Sequence, residues 1–142
     1  MSTGKACSVR SMYFPLNEQW RMISVHTTHH RVNNGISVPR VEDWFTVKLT
    51  VASRSVMVTS PRDGKRVEFV IFFTKNAILY PPSSSLLDSF PERGAWHGEM
   101  LVMRRAQRGG LMVNFRTEDF GLAMTAVNCF LQNNLRPGAL NN

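Results

Sequence analysis

Residues 45–73 read FTVKLTVASRSVMVTSPRDGKRVEFVIFF, and their alternation points to a β-rich architecture. Behind Glu42, Asp43 and Trp44, the apolar residues Phe45, Val47, Leu49 and Val51 alternate with Thr46, Lys48 and Thr50. A period of two is the pattern of a strand with one buried face. A second alternating run, Val56 to Thr59, follows Ser53-Arg54. It closes at Pro61-Arg62-Asp63-Gly64, where proline sets one turn angle and glycine tolerates positive φ. Val67 to Phe73 is β-branched or aromatic almost throughout, the composition of a central strand covered on both faces in its second half. These three runs predict an antiparallel meander.

Ala77 to Tyr80 reads as a further short strand stopped by Pro81-Pro82, since proline cannot donate to a sheet ladder. The connection 82–97, PSSSLLDSFPERGAWH, is long enough that it either has a role of its own or is an insertion. Within it Ser85 is expected to cap one helical turn that presents Leu86, Leu87 and Phe90 before Pro91. Glu99–Arg105 and Leu111–Arg116 flank Gln107-Arg108-Gly109-Gly110 and predict a hairpin whose tip uses left-handed glycines. A C-terminal helix is expected after Thr117 as N-cap, with Glu118 and Asp119 facing the positive end of its dipole. Phe120, Ala123, Val127 and Phe130 form its apolar stripe, and Asn133-Asn134 and Pro137-Gly138 end it. Upstream, Arg21 to Thr27 alternates weakly as a strand, and Asn33-Asn34-Gly35 signals a turn.

The order predicts an α+β domain: an antiparallel sheet or small barrel of about six or seven strands with one C-terminal amphipathic helix. In element order alone it resembles a pleckstrin-homology-like barrel, and equally a single-layer sheet of the kind that binds single-stranded nucleic acid. The length of 142 residues suits a single domain spanning 1–142, with its core at about 20–133, frayed ends and the loop at 82–97. The longest apolar run falls far short of the roughly 20 residues a membrane span requires. The first twenty residues lack the continuous apolar core of a secretory signal, so the expected location is cytoplasmic or nuclear.

Thirteen Arg and four Lys against ten acidic residues give a net charge of +7, which favours anionic partners. Arg104, Arg105 and Arg108 cluster at the predicted hairpin tip, with Arg116 at the far end of its second strand. Arg62, Lys65 and Arg66 form a second basic turn. If both turns emerge at one end of the sheet they form a single rim able to grip phosphate or carboxylate, because each guanidinium offers a planar two-donor fork. Stacking on Trp96 or Tyr80 would extend that grip to unpaired bases. Trp20, Trp44 and Trp96 sit at element boundaries, where tryptophan ordinarily anchors a core. Trp96, between Gly94 and Gly98, is read as the exposed one and, with Leu86, Leu87 and Phe90, as a partner-binding patch.

Catalytic and metal readings find little support. His26, His29 and His30 have no nearby Cys or carboxylate to complete a coordination shell, and Arg31 adds a repelling charge. His97-Gly98-Glu99 matches half of a zinc-deaminase signature, but Cys129 lacks the paired cysteine of the other half. Cys129 is expected to be buried and inert beside Phe130. Only two cysteines are present, Cys7 and Cys129, which supports no disulfide scaffold. The sequence therefore predicts no cofactor, no metal site and no enzyme. It predicts a non-catalytic protein-interaction module, with binding of RNA or single-stranded DNA through the arginine-rich turns as the alternative. Self-association through sheet edges is compatible with either.

Overall fold

A computed structural model describes residues 4–31, 35–46, 51–75 and 79–134. It contains β1 (Lys5–Phe14), β2 (Arg21–His30), β3 (Ile36–Pro39), β4 (Val51–Thr59), β5 (Arg66–Thr74), α1 (Ser84–Ser89), β6 (Met100–Arg105), β7 (Met112–Val113) and α2 (Asp119–Asn134). The strands form one antiparallel sheet in the order β3-β2-β1-β6-β5-β4, with β7 also paired to β6. Two three-strand meanders thus meet where Met12, Tyr13 and Phe14 of β1 pair with Val102, Leu101 and Met100 of β6. Beyond that seam β7 takes over the same side of β6, at Arg104 and Arg105. The outer strands β3 and β4 each have one neighbour in this path, so the sheet curls without closing. No helix among the described residues is long and apolar enough to cross a membrane.

The α+β architecture expected from the sequence is the one observed. Helix α2 buries Ala123, Ala126, Val127, Phe130 and Leu131 against one face of the sheet, where they meet Met12, Phe14, Val58, Phe69, Ile71, Phe73, Met100 and Val102. The helical spacing of that stripe matches the sheet residues that point toward it. Val70, Leu101 and Met103 point to the opposite face, where they join Val9, Tyr13, Ile23 and Val25 under a segment that the sequence reading did not foresee. Val41–Trp44 is one 3-10 turn, and Val41 and Phe45 are buried. Phe45 and Thr46, expected to open a strand, are therefore outside one, and the described strand of this region is Val51–Thr59; residues 47–50 of the run lie outside the described residues.

This plug is held by polar contacts. Glu99, buried on β6's approach, accepts from the Thr46 N–H at 3.0 Å and the Thr46 hydroxyl at 2.6 Å. The Tyr13 hydroxyl donates to the Trp44 carbonyl at 2.8 Å, and the two rings pack 5.4 Å apart. Burial first, then the charge of Glu99, pushes the Tyr13 hydroxyl up to about 12, against an opposing pull from Arg21. A folded pKa raised above the ordinary value of about 10 means the neutral phenol is favoured by folding. That stability is fully present below pH 10 and is lost as pH rises through about 12. The denaturant midpoint of the wild type should therefore fall more steeply across this window than that of Tyr13→Phe, whose melts isolate the effect from the lysines.

Several local expectations change. Strand β1 went unrecognised, and it extends the core back well before residue 20; its residues 11 to 14 are all buried, which erases the period of two. Strand β3 was missed because it exposes Ile36 and Val38 and turns Ser37 inward. Leu79 and Tyr80 are not in a strand, and residues 76–78 lie outside the described residues. The turn residues Asn33 and Asn34, and the chain from Leu135 on, lie outside them as well. The cap of α1 is Ser83 rather than Ser85: its oxygen accepts from the Leu86 N–H at 3.2 Å while its hydroxyl donates to the Pro15 carbonyl at 2.9 Å. At the start of α2 the Asp119 carboxylate, not Thr117, closes the turn by accepting from the Arg116 N–H at 2.7 Å.

Candidate functional site

The β4–β5 turn and the β6–β7 tip lie side by side because β5 and β6 pair as antiparallel neighbours, Glu68 opposite Arg105. Gln107 at the tip donates to the Arg66 carbonyl at 2.9 Å and ties the two turns together. At that end of the sheet they enclose, with the first turns of α2, a cavity of about 710 Å³. Its walls carry Arg62, Lys65, Arg66, Arg104 and Arg116 together with Asp63, Glu118 and Asp119. The two basic turns picked out in the sequence therefore do share one rim.

The cations around this cavity differ in freedom. Arg104 is held: its Nη1 donates to Asp119 at 3.1 Å, and the Asp119 side chain is only 2 % exposed. The Arg104 Nε is buried and unpartnered. Arg62, Lys65, Arg66 and Arg116 are exposed, and no described carboxylate forms an ion pair with them. Asp63 is turned toward its own loop, accepting from the Lys65 N–H at 3.0 Å, a bond that holds its carboxyl below the usual range. An incoming anion thus meets four uncommitted cations backed by one anchored arginine. Fork-shaped donors on two converging turns suit an oxyanion with several acceptor oxygens.

Two residues expected in the same cluster are placed elsewhere. Arg105 points to the opposite sheet face and pairs with Glu68 at 2.7 Å, and Glu68 also accepts from Ser55 at 2.8 Å. Arg108 is exposed at the hairpin tip and does not line the cavity. The carboxylates that accompany the arginines were not anticipated. An acid at the start of a helix, three residues beyond Arg116, was the available signal for Asp119.

The partner-binding patch is corrected outright. Trp96 is 1 % exposed, with its ring 6.0 Å from Phe73 and 5.3 Å from Phe130. Leu86 and Phe90 are also buried; of the four residues only Leu87 faces solvent. The reason lies in the backbone. The Ser83 N–H donates to the Trp96 carbonyl and the Gly98 N–H to the Pro81 carbonyl, at 2.8 and 2.9 Å, so the loop folds flat on itself. Gly94 and Gly98, at φ of 84° and 88°, supply the bends that swing the indole inward. Cys129 is exposed, contrary to expectation, because it falls on the side of α2 away from the sheet.

His26, His29 and His30 all lie on β2, while His97 sits apart, paired with Pro82. His29 Nδ1 lies 2.7 Å from the Ser37 hydroxyl, and burial, then Arg31, lowers its pKa. The ring of His30 covers Gly4, and His97 Nδ1 contacts the Tyr80 carbonyl at 2.7 Å. Comparisons with protein families, with curated protein sequences and with solved structures find no match to this chain.

Proposed function

We propose that this protein is a non-catalytic interaction module that captures an acidic protein partner at the basic cavity. The observation that carries the reading is the convergence of Arg62, Lys65, Arg66 and Arg116 on one concave site without described carboxylate partners. A net charge of +7 steers an acidic partner toward it. Nucleic acid remains the second reading, favoured by the same charge. Two features weigh against it. Among the described residues no aromatic side chain lines the cavity to stack a base, and three carboxylates share its wall where a phosphate backbone would approach.

The test is an NMR titration of the labelled protein with an octaglutamate peptide and, separately, with a single-stranded RNA dodecamer, both at about 0.15 M salt. Octaglutamate should shift amides of residues 60–67 and 116–125 in a saturable way. Arg62→Glu with Arg66→Glu should weaken it at least about tenfold, since reversal turns attraction into repulsion at the rim. Saturation of the cavity by RNA with no response to octaglutamate would overturn the reading in favour of the nucleic-acid one.

A further inference from the structure

We infer that the outer edge of β4 takes up an extended segment of that acidic partner as an added antiparallel strand, delivering its anionic end into the basic cavity. The inference rests on the reading above and extends it from a charge contact to a mode of binding.

The register fixes which groups are available. The Ser60 N–H donates to the Lys65 carbonyl at 2.8 Å, which makes that position a hydrogen-bonded pair at the head of the β4–β5 ladder. Pairing continues without a break from Thr59 opposite Arg66 to Val51 opposite Thr74. Hydrogen-bonded and non-bonded pairs alternate in an antiparallel ladder. Val58, Val56, Arg54 and Ala52 therefore spend their backbone groups on β5, while Val51, Ser53, Ser55, Met57 and Thr59 turn theirs outward. No described backbone group receives them.

Among the described residues, β4 carries none of the usual edge protections. Long edge strands are usually protected by proline, by a bulge or by rows of charge. Strand β4 has nine residues, contains no proline, keeps an unbroken register and carries one charge, Arg54. By contrast β3, the opposite edge, has four residues and ends on Pro39. An open edge of nine residues matches the recognition mode in which main-chain bonds give affinity and flanking side chains give specificity.

Charge selects the occupant. The β4 edge runs directly into Ser60, Pro61, Arg62 and Asp63, which line the cavity, so a strand lying antiparallel to β4 brings its N-terminal end to the cations. A second copy of this chain would pair β4 with itself about Ser55. That would place the two Arg54 side chains diagonally across the new pair and bring together two chains of charge +7. An acidic segment with alternating β-branched residues avoids both repulsions.

The probe is a fluorescent peptide with Glu-Glu at its N-terminus followed by alternating Thr and Val, tested against the intact protein by anisotropy and amide hydrogen exchange, with octaglutamate in parallel. The peptide should slow exchange at Ser53, Ser55 and Met57 at least about tenfold. Ser55→Pro removes one outward donor at an edge position that tolerates proline. It should weaken the peptide at least about tenfold and leave octaglutamate unchanged, with unaltered exchange in β5 and β6 reporting an intact fold. Unchanged peptide affinity in Ser55→Pro, with octaglutamate still bound, would overturn the added strand and leave the cavity reading standing. Failure of octaglutamate and peptide alike in the wild type would overturn both. A dimer in light scattering with β4 amides already protected would assign the edge to a second copy and overturn the inference.

Discussion

Replacing Trp96 with alanine should destabilise the protein by about 3–5 kcal/mol, the range for removing a large aromatic from a packed core. The indole fills the space between Phe73 on β5 and Phe130 on α2, edge-on to both, so its loss opens a void between sheet and helix at once. Neighbours have little room to collapse, because α2 is fixed along the same face by Ala126, Val127 and Leu131. Trp96→Phe should behave very differently. The indole Nε1–H is buried without a partner among the described residues, which leaves its desolvation uncompensated by them. Phenylalanine removes that donor along with some volume, and the two changes oppose each other. Guanidinium denaturation should place Trp96→Phe within about 1–2 kcal/mol of the wild type. Equal losses for the two variants would show that the ring's volume is not what matters there.

Asp119→Ala should produce a loss of similar size, about 3–5 kcal/mol, from a polar rather than a packing cause. One carboxylate oxygen of Asp119 serves both the Arg104 guanidinium and the Arg116 N–H. Without it, a mostly buried cation whose Nε already lacks a partner would lose its only described acceptor. The first turn of α2 would also lose the negative charge at the positive end of its dipole. Adding Arg104→Met should recover a substantial part of the loss, since an apolar side chain of similar length removes the stranded charge. A double variant no more stable than Asp119→Ala would show that the carboxylate acts on the helix start alone. The pair also bears on the proposed binding site. Arg104 is the anchored wall of the basic cavity, so the same contact that starts the helix also sets the cavity's shape.

The fold was legible where one face of an element is wet. The β4–β5 hairpin showed itself through alternation and the Pro-Arg-Asp-Gly turn, the β6–β7 hairpin through paired glycines, and α2 through its stripe. Strand β1 was not legible because its second half is covered on both faces, by α2 on one side and by the Val41–Phe45 plug on the other. A plug of this kind leaves no periodic trace, since only Val41 and Phe45 of it are buried. The charged rim was half legible. Each basic turn stands out in sequence, but their adjacency depends on β5 pairing with β6 across the intervening loop. Trp96 misled for a related reason: glycine on both sides permits an exposed bend and an inward one equally, and only the contacts of residues 81–83 choose between them.

The seam between the two meanders also has a consequence in time. Within each meander, neighbouring strands are joined by short loops or, for β5 and β6, by the 75–99 connection, so most pairing is local and closes quickly. The seam joins Met12–Phe14 to Met100–Val102, about 90 residues apart in sequence, and is continued where the Phe115 N–H donates to the Arg10 carbonyl at 3.0 Å. Such a contact forms after its two sides exist, and Met12, Phe14, Met100 and Val102 lie in the same apolar cluster as α2. Pairing at that sequence separation carries a larger loop-closure entropy than the hairpins within each meander, so the helix-facing core is completed by contacts distant in sequence.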